Sequence, residues 1–313
     1  MRMALMIARR LLAMMPTLLI ASVVVFTLIH LVPGDIAVTV AGQDATDEQL
    51  TAIRHELGLD QSLVAQYVTW FGEAVRGDLG SSLLTGESVG PSIARTLPVT
   101  LSIVLVALIF AFGIGLTAGI IAAYKANGTV DRVVTGLASL GVAMPNFWIA
   151  LILVSVFALG MGVLPATGGV SIFSDPGQGL LHAILPGFAM GVVGAAEVAR
   201  QTRSAMIVSL ASDAIRTHRA KGLRERSIMI RALKNAAVPL ITIGGLVLNS
   251  FLGATVVIEA VFGVSGLGGL ILRSTLQKDY PVIQAVVLTM AVLVILANLL
   301  VDIAYRVVDP RIK

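Results

Sequence analysis

Six long apolar runs are separated by polar stretches along this chain. They read "LLAMMPTLLIASVVVFTLIHLV" at roughly 11–32, "PVTLSIVLVALIFAFGIGLTAGIIAA" at 98–123 and "VVTGLASLGVAMPNFWIALILVSVFALG" at 133–160. The others are a run near 180–199 containing "ILPGFAMGVVGAAEVA", "VPLITIGGLVLNSFLGATVVIEAVF" at 238–262 and "VIQAVVLTMAVLVILANLLVDIAY" at 282–305. As helices rising 1.5 Å per residue, such runs cross a hydrocarbon core of about 30 Å. Backbone polar groups in lipid must be satisfied within the segment, so each run is predicted helical. The expected fold class is all-α: a polytopic membrane protein with six transmembrane helices. The first run follows Arg9 and Arg10 as a signal peptide would. It is too long for one, and no small-residue cleavage site precedes "LVPGD", so a retained helix is expected.

Shorter amphipathic patterns fill the polar segment 33–97. "TDEQLTAIRHELG" opens with Thr46 and Gln49 at capping-box spacing, and Asp47 and Glu48 suit the positive end of a helix. Leu50, Ile53 and Leu57 share a face, and Gly58 is placed to end the helix. In "SLVAQYVTWFGEAVRG", residues Leu63, Val64, Tyr67, Val68, Phe71 and Val75 form an apolar stripe, with Gly77 after it. Within the long runs, Ala111, Gly115 and Gly119 recur every four residues and predict close helix packing. Pro145 in "AMPNFW" predicts a kink in the third span. The Gly- and Pro-rich stretches "VLPATGG" at 163–169 and 261–281 are loops, the second with apolar residues that suit a re-entrant piece.

Composition supports the membrane reading. Of 313 residues, 57% are hydrophobic and only 13% charged, half the share a soluble domain uses to clothe its surface. The net charge of +4 does not point to nucleic acid, because the basic residues sit in short loops beside apolar runs. Six spans place both termini on one side. That side holds Arg2, Arg9, Arg10, Lys125, Arg132, Arg200, Arg203, the seven basic residues from Arg216 to Lys234, Arg306, Arg311 and Lys313. The other holds Arg54, Arg76, Arg95, Arg273 and Lys278, so the richer side is read as cytoplasmic. Cysteine is absent, and His30, His55, His182 and His218 are scattered with no HExxH-type pair, so no metal site is expected. Asn249, mid-span in the fifth run, and Glu259, towards its outer end, are the substrate-pathway candidates, with Glu259 the best candidate for substrate contact in an outward cavity. Glu197 and Asp302 lie near span ends and are assigned to helix contacts.

The densest charge falls in "DAIRTHRAKGLRERSIMIRALKNAAVP", a cytoplasmic loop between the fourth and fifth spans. The positive-inside rule accounts for its sign but not its length or pattern. Ala214 to Lys221 suits a short helix stopped by Gly222. A second helix follows, with Ile228, Ile230, Leu233 and Ala237 towards the membrane.

This stretch resembles the "EAA" loop of ABC importer permeases, specifically the dipeptide and oligopeptide branch. Other motifs of that branch follow in order: "LVPGD" at 31–35, "LGLDQSLVAQY" at 57–67, "GDLGSSL" at 77–83, "LPVTLSI" at 97–103, "PNFWIALIL" at 145–153, "LPATGG" at 164–169, "VARQTRSAM" at 198–206, "VVIEAVFGVSGLGGL" at 256–270 and "DPRI" at 309–312. The resemblance implies a type I ABC importer permease fold. It implies an N-terminal helix with an extracytoplasmic segment over 1–95, a permease core over 96–305 containing a coupling loop at 200–237, and a cytoplasmic tail at 306–313. It implies partners: a second homologous permease, two cytoplasmic ABC ATPases that hold ATP and Mg, an extracytoplasmic solute-binding protein, and membrane lipid. By resemblance, Arg216, Thr217, His218, Arg219, Ala220, Lys221, Gly222 and Leu223 couple to the ATPase. No GxxxxGK[ST] loop is present, so no nucleotide cofactor and no hydrolysis are expected in this chain. Peptides are the implied cargo in the cytoplasmic membrane, with nickel chelates, glutathione, haem and short glycans as alternatives within the same machinery. Ala214, His218 and Ser265 depart from the branch pattern. An ion-coupled secondary transporter is the different-class alternative, but no convincing internal repeat supports it. An intramembrane enzyme lacks any Ser/His, paired-Asp or HExxH arrangement in the spans.

Overall fold

A computed structural model describes residues 2–31, 36–42, 44–56 and 58–308. Most of "LVPGD", Leu57 and the end of the tail, 309–313, lie outside the described residues. The described chain is helical: α1 Arg2–Leu31, α2 Ile36–Ala41, α3 Asp47–Glu56, α4 Leu63–Val75, α5 Val89–Tyr124, α6 Thr129–Ala143, α7 Asn146–Leu153 continued by a π-helical segment Val154–Gly160, α8 Pro176–Leu210, α9 Asp213–Ala220, α10 Glu225–Asn235, α11 Ala237–Val261, α12 Leu267–Gln277 and α13 Tyr280–Val308. Among the described residues, α5, α8, α11 and α13 are each long and apolar enough to cross a membrane. The pair Thr129–Ala143 and Asn146–Gly160 passes the same test together but is bent by 97°. In α1 the apolar stretch is Leu12–Thr27, shorter than the roughly 20 residues of a full crossing. Large apolar side chains such as Ile109 (62% exposed), Leu137 (63%) and Leu300 (62%) face outward, as lipid-facing positions do.

Pro145 does more than kink the third span. Met144 is extended (φ −85°, ψ 128°) and Pro145 (φ −65°, ψ 135°) becomes the cap of α7. A residue before proline is driven out of the helical region, so the helix ends and a new one starts in another direction.

Two compact units form. One comprises 1–97 with 269–295. In it the capping box of α3 is complete: the Thr46 amide donates to Gln49 Oε1 at 2.9 Å and the Gln49 amide donates to Thr46 Oγ1 at 3.3 Å. The stripe expected on α4 divides. Tyr67, Trp70 and Phe71 gather with Phe26 of α1 at ring separations of 5.5–6.5 Å, and the Ser22 and Tyr67 hydroxyls are 2.8 Å apart. Val64, Val68 and Val75 remain exposed, because the aromatic face, with its larger area, takes the contact with α1. Asp279, just before α13, accepts from Ser82 Oγ at 2.5 Å and from the Leu83 amide at 3.1 Å, pinning the 78–88 turn region to the start of that helix.

The other unit comprises 98–268 with 296–313 and is organised around α5 and α8. A Cβ on Gly115 would lie 2.7 Å from the Ala195 carbonyl, and one on Gly119 would lie 2.6 Å from the Ala199 carbonyl. Gly187 meets Val106, and Gly191 meets Phe110, in the same way. The paired positions advance together along both helices, so α5 and α8 run parallel, and the broken α6–α7 segment is the return stroke between them. On α11 the chain packs against the end of α13: Asn249 donates to Asn298 at 2.9 Å, Gly245 abuts Val301, and Tyr305 donates to Thr242 at 2.7 Å. Here the numbering runs in opposite senses, so the pair is antiparallel.

Two expectations follow for the detergent-purified chain. Gly119→Leu forces α5 from α8 and lowers the thermal midpoint, at an overpacking cost of about 1–3 kcal/mol. Gly113→Ala, where a Cβ meets nothing within 4 Å, leaves the midpoint unchanged. Equal midpoints for the two variants would overturn the close-approach assignment.

Candidate coupling loop

The loop from Ser212 to Ala236 is built on an apolar base. Ile215 of α9, Ile228 and Ala232 of α10, and Ala236 are buried with Ala123 at the end of α5, Met206 of α8 and Leu240 of α11. Leu223 and Leu233 pack at the edge of this cluster. The expected face of α10 needs one change: Ile230 is 50% exposed. Ile228, Ala232 and Ala236 recur every four residues, whereas Ile230 lies two residues on, about 200° round the helix.

Ile215 is the buried residue of α9. Arg216, Thr217, Arg219, Ala220, Lys221 and Gly222 are exposed, and His218 and Leu223 are half-buried. Gly222 ends the helix as the sequence predicts. Its φ is +74°, its amide donates to the Arg219 carbonyl at 2.9 Å, and the Leu223 amide donates to the His218 carbonyl at 3.2 Å. These two bonds make a Schellman stop. A Cβ at Gly222 would meet nothing within 4 Å, so the demand for glycine is conformational rather than steric. Arg216 pairs with Asp213 at 3.1 Å and Arg219 with Glu225 at 3.3 Å. Both pairs are exposed and of the kind worth about 0–1 kcal/mol, so they contribute little to folding.

One contact escaped the sequence reading. Asp131, 3% exposed at the start of α6, is held by Arg203 of α8 through two bonds, one of them Nη2 to Oδ2 at 2.7 Å. Asp131 also accepts from the Asn127 amide at 2.8 Å, which fixes the α5–α6 turn, where Asn127 has φ 65°. The pair therefore ties that turn to the stretch of α8 leading into α9. The available signal was an acidic residue inside an otherwise basic inner loop.

The pathway candidates are placed differently from expectation. Glu259 is fully buried. Its Oε1 accepts from Thr100 Oγ1 at 2.6 Å, and the same hydroxyl accepts from the Leu267 amide at 2.8 Å. A Cβ on Gly266 would lie 2.5 Å from the carboxylate, so glycine there lets the chain close over it. Glu259 is a fold residue, because the cost of burying its carboxyl is met by local donors. Asn249 is half-buried; it bonds Asn298 while its own Oδ1 is buried without a partner among the described residues. Pro145 stands at the break between α6 and α7. Among the described residues no group of three His, Cys, Asp or Glu side chains is placed to hold a metal ion.

A consequence for stability can be measured. Glu259→Ala strands the Thr100 hydroxyl and costs about 1–3 kcal/mol, seen as a lower thermal midpoint. Glu259→Gln keeps an acceptor for that hydroxyl and loses less. If both variants melt with the wild type, the buried bond does not stabilise the fold.

Comparison with known proteins agrees with this architecture. The dipeptide transport system permease protein DppB of Alkalihalophilus pseudofirmus is 37% identical over 326 residues, covering 97% of this chain and 98% of that protein. The glutathione transport system permease protein GsiC of Escherichia coli O6:H1 is 38% identical over 308 residues, covering 98% of each. A chain of the inward-facing MetNI methionine ABC transporter superposes with a TM-score of 0.58 at 20% identity, over 69% of this chain and 96% of that one. At that identity the likeness is of fold, and the fold is that of a type I ABC importer permease. Residues 3–104 match the N-terminal family of binding-protein-dependent transport system membrane components, and residues 115–313 match the main one. The chain belongs to the family described as the binding-protein-dependent transport system inner membrane component.

Proposed function

We propose that this chain is a permease subunit that carries di- and oligopeptides inward across the cytoplasmic membrane, driven by ATP that partner subunits bind and hydrolyse. Membership of the family makes it a transport component rather than a catalytic subunit. Peptide cargo is supported by relatives named for dipeptides and for glutathione, itself a short peptide derivative. On this reading a second permease completes the pore and a solute-binding protein delivers cargo from outside. Both termini face the cytoplasm, and α1 supplies a sixth crossing.

The observation that carries the energy-coupling part is the geometry of α9. Its tip is basic and exposed, its single buried side chain Ile215 is rooted among α5, α8 and α10, and Gly222 sets its length. A short helix anchored at an apolar base passes a push at its tip to the helices that hold the base. Arg216, Thr217, His218, Arg219, Ala220, Lys221, Gly222 and Leu223 are the contact residues of this reading. Arg216, Arg219 and Lys221 meet acidic groups of the ATPase. Asp131 and Arg203 brace the loop from the membrane side.

In membrane vesicles holding the whole transporter, Gly222→Val strains the left-handed position by about 1–2 kcal/mol and distorts the tip. ATP-driven uptake of labelled dipeptide then falls sharply while immunoblots show unchanged permease. Gly222→Asn, which tolerates that conformation better, retains most of the uptake. Full uptake in Gly222→Val and in a deletion of 216–223 would sink the coupling assignment. A gentle-detergent pull-down of the tagged chain is expected to recover a second permease, a phosphate-loop ATPase and a binding protein. Recovery of this chain alone, with ATP-independent transport after reconstitution, would overturn the importer reading.

A further inference from the structure

A cavity of about 490 Å³ lies within the unit formed by 1–97 and 269–295, walled by α3, α4, the first turn of α13 and Phe26 of α1. Its volume is in the range of small-molecule sites. Glu56 at the end of α3 and Glu73 on α4 face it, and neither has a basic partner among the described residues. His55 also lines the cavity, but among the described residues no lysine or arginine does. Trp70, one helical turn before Glu73, stands in the same wall and is held by its ring contacts with Phe26, Tyr67 and Phe71.

Gln284 gives an independent sign of a ligand. It is only 8% exposed, it lines the cavity, and no hydrogen-bond partner reaches its amide among the described residues. Although the residue is buried, its amide opens into the cavity, where it is set to bond what enters. Asp279 beside it is already committed to Ser82 and Leu83.

We propose that this cavity binds the free amino terminus of a short peptide. A primary ammonium satisfies two carboxylates and lies well against an indole face. The Gln284 amide offers a donor and an acceptor to an adjoining peptide group. The C-terminal end of α3, where Glu56 stands, adds a partial negative charge that favours the same cation. The site extends the import reading by placing a cargo-selective contact on the permease itself.

The test uses the full chain in lipid nanodiscs, titrated calorimetrically with trialanine amide, which has a free amino terminus and no carboxylate. Saturable binding is expected. Nα-acetyl-trialanine amide binds at least about tenfold more weakly, as do Glu56→Gln and Glu73→Gln with the free-amine probe. These two exposed, isosteric changes leave the thermal midpoint unchanged, which separates lost binding from lost folding. Absence of saturable binding, equal binding of the acetylated probe, or wild-type affinity in both variants would overturn the site. Binding of Nα-acetyl-lysine amide without binding of trialanine amide would also overturn it, and would assign the cavity to a lysine side chain of a protein partner. Because binding is read on this chain alone, failure here with dipeptide uptake intact leaves the importer reading standing.

Discussion

The contact between α5 and α8 sets the arrangement of the unit that contains it. Glycines replace side chains on both helices, so backbone meets backbone along several turns. Two parallel helices in such contact require the intervening chain to come back across the same thickness. That return is made by α6, the turn at Pro145 and α7 with its π-helical end. The close approach also brings the C-terminal parts of α5 and α8 together, and there Ala123 and Met206 form the floor on which Ile215 and Ile228 sit. Widening the contact by one methyl group would therefore disturb the base of the coupling loop as well as the bundle.

Polar groups inside this unit follow the rule that lipid imposes, which is that partners must come from the protein. Glu259, Thr100 and Leu267 form one chain of bonds, Asp131 and Arg203 another, and Asn249 and Asn298 a third. Each joins segments far apart in sequence. These bonds hold the fold together, although the Asn249 Oδ1 stays without a partner among the described residues.

Legibility from sequence followed the range of the interaction. The capping box at Thr46 and Gln49, the stop at Gly222 and the small-residue ridge through Gly115 and Gly119 depend on residues a few positions apart, and each was readable. The depth of the break at Pro145 was not, since proline alone allows either a kink or a stop, and packing decides between them. The burial of Glu259 was not readable, because an acid near a span end looks the same whether it faces water or a threonine 159 positions earlier. Asp131 was overlooked for the same reason, its partner Arg203 lying 72 positions away. On α4, hydrophobic periodicity marked the apolar side correctly but could not say which part of it an aromatic contact would claim.

The coupling loop combines features that pull in opposite directions. Its base is buried, apolar and shared by five helices, which resists local movement. Its tip is exposed and carries ion pairs that contribute little to folding. A loop held firmly at both ends would not respond to a partner, and a loop loose throughout would absorb a push without passing it on. On the reading proposed above, a buried root and an exposed tip make α9 a short lever. The Asp131–Arg203 pair extends that lever, because displacement of α8 at Arg203 is carried to the start of α6, the helix that ends at the break before Pro145. On that reading, movement at the tip of α9 has a covalent and ionic route to the bent helix pair Thr129–Ala143 and Asn146–Gly160 among the described residues.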